Sequence, residues 1–299
     1  MIVAANIGVV DEVELIDRHI RHLQALGVDR IVVTDTGSAD GTAEILQAYA
    51  DRGEIALLRR ARDDPDAFGF ANAMLEYTLD EIRPDWILFG DADEFHIPRT
   101  GSIRDVLAAT DADLLQVERF NVPVSQAGPL WPADLSARGH DRLQLIVGQI
   151  DQFRRHLEEN PDTPWIRGRI LPKIVARADA VSAGIRMAGH TARPSAGREP
   201  VARVPTDLLI AHVPISGRAR FDRKLANIRE VFARFGDRYG PGEAWHWRRW
   251  IQLADAGHAD EEYARQVFTD AALDRMRAAH EVMSAAEWFA AAAAKSTVR

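Results

Sequence analysis

The sequence has no cysteine among its 299 residues. This absence excludes disulfide bonds, thiolate metal sites and a cysteine nucleophile. No uncharged apolar stretch reaches about 18 residues, the length that a membrane-spanning helix needs, so we expect no transmembrane segment. Residues 1–6 lack the basic and apolar regions of a signal peptide and are expected to form a strand. These absences favour a cytoplasmic protein.

The chain also lacks an excess of positive charge. The chain has 37 lysine and arginine residues against 45 aspartate and glutamate residues, which gives a net charge of −8. General nucleic-acid binding needs a basic face, so we expect no nucleic-acid partner. Hydrophobic residues at 46% and charged residues at 27% are ordinary for a globular protein, and the length suits one large α/β domain with an appendage.

Hydrophobic patterns in the first 120 residues alternate between strand and helix. The predicted strands span residues 2–5, 30–34, 55–58, 86–89 and 114–117, and the predicted helices span residues 13–26, 42–49, 71–82 and 102–109. Strands that alternate with helices predict an α/β fold with a mostly parallel sheet and helices on both faces. Ligands of such sheets bind beyond the carboxyl ends of the strands.

The pattern changes after residue 120. We predict a loop over residues 121–142, a helix over 143–157, a turn over 161–164, an extended segment over 170–176, a loop over 191–206, a strand over 208–213 and helical structure from residue 221. Residues 1–217 are therefore expected to form one catalytic domain, and residues 218–299 a helical C-terminal extension.

An acidic cluster follows the fourth predicted strand. The apolar run from Trp86 to Phe89 leads into Asp91, Asp93 and Glu94. Hard oxygen ligands at the end of a buried strand suit Mg²⁺ or Mn²⁺, and such a cation suits a diphosphate. The alternative is an acidic turn that water solvates.

The second predicted strand ends in a turn at residues 34–42 that carries Asp35. Gly37 and Gly41 permit a tight turn, and Asp40 or Thr42 can cap the next helix. Asp35 lies at the ligand edge of the sheet, where its carboxylate can accept hydrogen bonds from a base or a ribose. Good turn chemistry explains the same residues, and the two interpretations are compatible.

Three segments occur in a characteristic order. Asn6 and Asp11-Glu12 come first, residues 31–42 follow, and residues 89–95 complete the set. In this order they resemble the GT-A glycosyltransferases of the family 2 type, and the ending Asp93-Glu94-Phe95 resembles family 92-like relatives. The chain departs from the usual family sequence at Thr36 and Ala39, and its first strand lacks the common Arg-Asn-Glu or Lys-Asn-Glu ending.

The resemblance implies a GT-A, Rossmann-like fold, a nucleotide-sugar donor such as a UDP-sugar, and Mn²⁺ or Mg²⁺ as cofactor. The acceptor would be a hydroxyl group on a saccharide, a lipid-linked molecule or a small molecule. Residues 1–120 would form the donor-binding half of the domain and residues 121–217 the acceptor-side half.

The resemblance also implies roles for individual residues. Asp91 and Asp93 would hold the metal and the diphosphate, His212 would complete the metal site, Asn6, Asp35 and Gly37 would lie at the nucleoside, and Ser216 and Lys224 would lie on the donor side. A single histidine after an apolar strand is otherwise a structural residue, and a helix lysine is otherwise solvated.

Two basic residues lie outside these motifs. Lys173 stands between apolar neighbours, where it can point into the cleft and steady the leaving group, or can be an ordinary edge-strand lysine. His190 precedes a loop and can meet either acceptor or donor.

The catalytic base stays open at the level of sequence. An inverting enzyme needs a carboxylate or a histidine within reach of the acceptor hydroxyl. The candidates are Glu94, Asp134 and Asp141, with Glu118 beside them. A retaining enzyme needs no such base.

The C-terminal part contains an aromatic, basic run at residues 245–250 and an alanine-rich segment at residues 285–294. The first can lie at a membrane surface as a peripheral contact, stack on sugar rings, or pack on the catalytic domain; we favour packing. The second is a strong helix former and indicates packing or a homodimer contact.

Two rival functions fit part of the pattern. A nucleotidyltransferase also places acidic residues at a sheet edge, but residues 6–12 lack its glycine-rich, basic phosphate loop. A non-catalytic nucleotide-sugar-binding or carbohydrate-binding protein could use the same scaffold, although the complete acidic cluster argues for catalysis.

Overall fold

The computed structural model describes residues 1–64, 66, 69–182, 184–185, 189–240 and 242–296. Its strands are β1 (Val3–Val9), β2 (Arg30–Asp35), β3 (Ala56–Arg59), β4 (Trp86–Asp91), β5 (Glu94–Pro98), β6 (Leu114–Val117), β7 (Arg119–Asn121), β8 (Val124–Ser125), β9 (Gly128–Pro129), β10 (Gln144–Ile146), β11 (Lys173–Arg177), β12 (Ala202–Arg203), β13 (Leu208–His212), β14 (Val267–Phe268) and β15 (Val282–Ser284). Its α-helices are α1 (Ile16–Ala25), α2 (Thr42–Asp51), α3 (Phe70–Tyr77), α4 (Ile103–Ala109), α5 (Phe153–Glu159), α6 (Arg218–Phe235), α7 (Trp245–Asp255), α8 (Ala259–Gln266), α9 (Asp270–Ala278) and α10 (Ala285–Ser296).

A central sheet with the strand order β12-β6-β11-β4-β1-β2-β3 organises the fold. Strands β1 to β4 are mutually parallel where they pair, because helices connect them. Strand β11 runs antiparallel between β4 and β6. The predicted mostly parallel α/β sheet is therefore confirmed.

Strand β1 is longer than the predicted strand at residues 2–5. Val3, Ala5, Ile7 and Val9 point to one face and pack in the same core as Ile16 of α1, since alternate residues of a strand share a face. The strand therefore continues to Val9. This extension puts the ligand edge of β1 at the residues after Val9.

A second sheet, which sequence patterns did not predict, lies beside the acidic cluster. Its order is β5-β13-β7, with β13 antiparallel to β5 and parallel to β7. In this register His212 lies opposite both Glu94 and Asn121. The pairing brings the late histidine of the sequence to the acidic cluster.

The predicted helix over residues 143–157 is wrong in its first half. Residues 144–146 form β10, which pairs antiparallel with β15, and α5 begins only at Phe153. Leu143 and Leu145 share one core, whereas Ile146 faces another, so the apolar run alternates as a strand does. Helix and strand cannot be separated by periodicity in so short a run.

Among the described residues, the chain after residue 218 is mostly helical and contains two short strands. β14 pairs with β8, and β15 pairs with β10. In α7, Trp250 is buried and donates to Glu262 at 3.0 Å, and Trp247 packs against Phe232. Trp250 also contacts Trp165 of the predicted catalytic domain, as the packing interpretation expects, whereas the aromatic partner of Trp247 lies in the extension itself. Among the described residues, no helix combines the length and the apolar character needed to span a membrane.

Buried histidines on α1 predict acid sensitivity. Burial lowers the pKa of His22 to about 4, although its ring Nε2 contacts the carbonyl oxygen of His96 at 2.7 Å. An unfolded histidine has a pKa of about 6.5. Below that pH the unfolded chain takes up a proton that folded His22 does not, so stability is complete above about pH 6.5 and is lost as the pH falls toward 4.

We expect His22→Gln to flatten this acid limb, because glutamine does not titrate and its Nε2 can still donate to the His96 carbonyl. The slope of unfolding free energy against pH should decrease by about 1.4 kcal/mol per pH unit. Urea denaturation at about pH 7.5, 6 and 5 measures it. An unchanged slope would show that His22 is not a neutral buried group.

Candidate active site

The ends of β1, β2 and β4 meet at one edge of the central sheet. Gly8 of β1 pairs in register with Asp91, and Val9 pairs with Asp35. Asp91 has a side chain that is 42% exposed, whereas Asp93 and Glu94 are buried. The turn after β4 therefore places one carboxylate at the opening and two inside.

Glu94 is surrounded by donors. Its carboxylate pairs with Arg119, lies 3.2 Å from Lys173 Nζ and accepts the Asp91 backbone N–H at 3.0 Å. Burial alone would raise its pKa, but Lys173 and Arg119 outweigh burial and lower the pKa of Glu94 to about 2. Glu94 is thus an ionised carboxylate whose two oxygens are both engaged.

Lys173 begins β11 and links two acidic residues. Its side chain is fully buried, and its Nζ lies 3.0 Å from Asp91 Oδ2 and 3.2 Å from Glu94 Oε2. Burial opposes the charge, but Asp91 and Glu94 raise the pKa of Lys173 above its ordinary value. The residue points into the acidic cluster, as one sequence interpretation proposed.

Three basic side chains lie close to one carboxylate oxygen of Asp93. Its Oδ2 lies 2.9 Å from Arg220 Nη2, 3.2 Å from Lys224 Nζ and 3.4 Å from His212 Nε2. Burial would raise the pKa of Asp93, but the charges of Lys224 and Arg220 hold it well below its usual range. Asp93 is therefore ionised.

The orientation of His212 follows from its other neighbour. Asn121 Nδ2 donates to the carbonyl of Ile166 at 2.7 Å, which leaves Asn121 Oδ1 to accept from His212 Nδ1 at 2.7 Å. Burial lowers the pKa of His212 despite the attraction of Asp93. Neutral His212 then carries its lone pair on Nε2, which faces a carboxylate oxygen of Asp93 at 3.4 Å.

His212 Nε2 and the Asp93 carboxylate both offer electron pairs, so a cation fits between them. Ligand atoms of Asp93, Glu94 and His212 lie within 4.8 Å of one another, so this buried cluster could hold a metal ion. The predicted set contained Asp91 in place of Glu94. Arg119 and Lys173 engage both oxygens of Glu94, whereas the side-chain contacts of Asp93 among the described residues all fall on Oδ2. Asp93 Oδ1 and His212 Nε2 are therefore the more available ligand atoms.

The turn after β2 is held by a side-chain hydrogen bond and a glycine with positive φ, and it lies at the sheet edge. Asp35 Oδ1 accepts the Ser38 N–H at 2.9 Å, and its Oδ2 lies 3.7 Å from Arg59. Gly37 has φ of 92°, and a Cβ there would lie 2.7 Å from the backbone nitrogen of Arg62. Only glycine fits this position without strain.

Asn6 does not lie at the sheet edge with the other residues that were predicted to bind the nucleotide-sugar donor. It lies within β1 and its Oδ1 accepts from Thr78 at 2.7 Å. Asp11 and Glu12 follow the strand end instead, and Asp11 accepts the Ala39 N–H at 2.7 Å. Both belonged to the recognised motif, but the length of β1 was needed to place them at the edge.

Helix α6 supplies a residue that sequence reasoning missed. Arg220 is 2% exposed and donates to Glu12 at 2.8 and 2.7 Å, to Asp93 at 2.9 Å and to the Val213 carbonyl at 2.9 Å, with Pro214 as a further partner. Nothing local in the sequence distinguishes Arg220 from the other arginines of this helix. Ser216 is half-buried just before the helix.

The remaining base candidates are Asp134, Asp141 and Glu118. Asp134 accepts the Ser136 N–H at 2.8 Å and lines a cavity of about 390 Å³ beside α1. Asp141 is exposed in a turn. Glu118 is exposed and lines a cavity of about 150 Å³ with Arg119. Within the described part of the chain, neither Asp134 nor Asp141 has a recorded hydrogen bond or ion pair with Asp91, Asp93 or Glu94.

The sheet order and the acidic edge acquire a class from the match to a family model: this is a glycosyltransferase with the GT-A fold. Residues 7–155 match the model of Glycosyl transferase family 2. The protein is accordingly a member of that family, with the matched segment running from β1 into α5. No curated protein matches the chain.

Solved structures with similar folds include S. aureus TarS 1–349 in complex with UDP-GlcNAc, at 13% identity and a TM-score of 0.42, with 89% of this chain and 72% of that chain covered. Glucosyl-3-phosphoglycerate synthase from Mycobacterium tuberculosis, in complex with phosphoglyceric acid, has 16% identity and a TM-score of 0.33, with 60% and 58% covered. A complex of the same synthase with Mn²⁺, UDP-glucose and glycerol 3-phosphate has 15% identity and a TM-score of 0.32, with the same coverage.

Proposed function

We propose that this protein transfers a sugar from a nucleotide-diphosphate donor, most simply a UDP-sugar, to a hydroxyl acceptor with the help of Mn²⁺ or Mg²⁺. The observation that carries the proposal is the opposed pair of His212 Nε2 and Asp93 Oδ2 at 3.4 Å. It lies at the carboxyl edge of the sheet, where α/β proteins bind ligands.

Asp93 and His212 would hold the cation, with Asp91 at the opening as the third candidate ligand. Mg²⁺ and similar ions need only one or two protein carboxylates, because waters and phosphate oxygens complete their coordination. When bound, the cation supplies positive charge that stabilises a departing diphosphate.

Lys224 and Lys173 would assist on either side of the cation. Of the groups on Asp93 Oδ2, Lys224 has the most exposed side chain, at 27%, and it can turn from Asp93 to a phosphate oxygen. Lys173 is fully buried between Asp91 and Glu94, so it would hold these carboxylates in place. Asp35 and Gly37 would contact the nucleoside.

The domain assignment remains part of this proposal. Residues 1–217 would form the catalytic domain and residues 218–299 an extension that completes it. The contacts of α6 support this view, since Arg220 and Lys224 both reach Asp93.

Calorimetry with UDP-glucose and UDP-N-acetylglucosamine tests the donor and the metal together. We expect donor binding with Mn²⁺ present, and at least a tenfold weaker affinity after chelation with EDTA that Mn²⁺ addition restores, because the ion bridges carboxylate and diphosphate. Turnover should then release UDP.

Two other outcomes would favour the rivals. Donor binding that ignores EDTA and produces no UDP would support the binding-protein alternative. Release of pyrophosphate from a nucleoside triphosphate would support the nucleotidyltransferase alternative.

A further inference from the structure

The segment Gly189–His190 lies directly against the face of β4 that carries Asp91. Gly189 accepts the Ile174 N–H at 2.9 Å, and a Cβ on Gly189 would lie 2.3 Å from Phe89 Cβ. Phe89 and Asp91 are two residues apart on one strand and so share a face. Close packing of glycine on Phe89 therefore brings His190 to the side of the sheet where Asp91 opens to solvent.

A backbone carbonyl fixes the tautomer of His190. Its Nδ1 lies 2.6 Å from the carbonyl oxygen of Pro172. A carbonyl oxygen can only accept, so Nδ1 carries the proton and neutral His190 has its lone pair on Nε2. Among the described residues, Nε2 has no hydrogen-bond partner, and the half-buried ring leaves room for one.

The charges around His190 favour the neutral ring. Burial makes the largest contribution and lowers the pKa of His190 to about 4, and the positive charges of Lys173 and Arg119 act in the same direction. The Pro172 carbonyl and Glu94 have the opposite effect. At neutral pH the ring is therefore an oriented, uncharged proton acceptor. An oriented base with a third group behind it is the usual arrangement in general-base catalysis.

We propose that His190 is the general base of the transfer, with Nε2 accepting the proton of the attacking hydroxyl. This inference rests on the proposed function. The acceptor oxygen forms a bond to the anomeric carbon, the bond from that carbon to the donor phosphate oxygen breaks, and the nucleoside diphosphate leaves with the electron pair. The proton moves from the hydroxyl to Nε2 and then to water.

The other candidates are less suited to this role. Glu94 is buried, with both oxygens engaged by Arg119, Lys173 and a backbone N–H. Asp134 lines the cavity beside α1 and Asp141 is exposed in a turn, whereas His190 is held beside β11 by its contact with the Pro172 carbonyl. A single displacement assisted by a base inverts the anomeric carbon, so an α-linked donor should yield a β product.

His190→Asn is the sharpest test, because asparagine Nδ2 can replace histidine Nδ1 as the donor to Pro172 while no base remains at Nε2. The assay measures UDP release from UDP-glucose or UDP-N-acetylglucosamine in the presence of Mn²⁺, with water as the acceptor. Proton NMR of the first sugar released gives its anomeric configuration. We expect turnover to fall at least about a hundredfold with donor affinity within about twofold.

His190→Ala should be equally slow and should regain activity when imidazole is added, which a purely structural role of His190 would not explain. His258→Asn is the matched control, since His258 has a side chain that is 52% exposed and lies outside the site. It should retain wild-type turnover.

Turnover of His190→Asn within about threefold of wild type would overturn the assignment, because base catalysis contributes far more than that. Release of the sugar with retained configuration would overturn it as well. Failure of the proposed function looks different: the wild-type protein would then bind neither UDP-sugar in the presence of Mn²⁺.

Discussion

Asp93→Asn should abolish Mn²⁺-dependent donor binding and lower transferase turnover by about a thousandfold. The substitution keeps the shape of the side chain but removes the charge that faces His212 Nε2 at 3.4 Å. A bound cation contributes several kcal/mol to the stabilisation of a leaving diphosphate, and about 4 kcal/mol corresponds to a thousandfold in rate. Calorimetry with Mn²⁺ and a UDP-release assay measure the two effects.

Asp141→Asn is the appropriate control, because Asp141 is exposed and was a base candidate in the sequence. It should bind Mn²⁺ and donor as the wild type does. A fully active Asp93→Asn enzyme, or one that binds Mn²⁺ normally, would refute the metal site. The melting temperature of each variant should be recorded, since Arg220 and Lys224 lose a charged partner at Asp93.

Arg220→Ala should cause the largest loss of stability. The guanidinium is 2% exposed and joins Glu12 and Asp93 to the carbonyls of Val213 and Pro214. Removing one partner from a buried ion pair costs about 3–5 kcal/mol, because it leaves the other charge buried and unpaired. Urea denaturation should show this decrease in unfolding free energy.

Arg218→Ala provides a matched comparison two positions away on α6. Arg218 has a side chain that is 42% exposed and pairs with Asp222 and Asp260 at the surface, so its loss should cost no more than about 1 kcal/mol. The loss of unfolding free energy in Arg220→Lys should fall between those of the two alanine variants, since lysine keeps the charge but not the forked geometry. Equal effects of the two alanine substitutions would show that the Arg220 contacts contribute little.

The elements with strong local patterns were predicted well. The buried run before Asp91 formed β4, which packs against a core on each face, and the helical spacing after residue 13 formed α1, because each local pattern fits its element alone. The run over residues 143–157 failed because its spacing suits a short strand as well as a helix. Its apolar residues alternate between two cores, and only the partner strand β15 settles that they form β10.

The site was predictable where a residue lies on a recognised motif or strand. Asp91, Asp93, His212, Lys173 and Lys224 come together around one cluster. The sequence contains no comparable signal for Arg119 or Arg220. Each is one arginine among many, and its importance arises from burial beside a carboxylate distant in the chain.

The amino-acid sequence by itself determined the alternation of strands and helices, the parallel sheet and the carboxylates at its edge, since these follow from local periodicity and from the order of motifs. Tertiary structure decided the rest. Pairing of β13 with β5 and β7 set His212 beside Asp93 and Asn121, and packing of α6 brought Arg220 to Glu12. These contacts join residues far apart in the chain, and such contacts depend on the packing of whole elements rather than on any short run of residues.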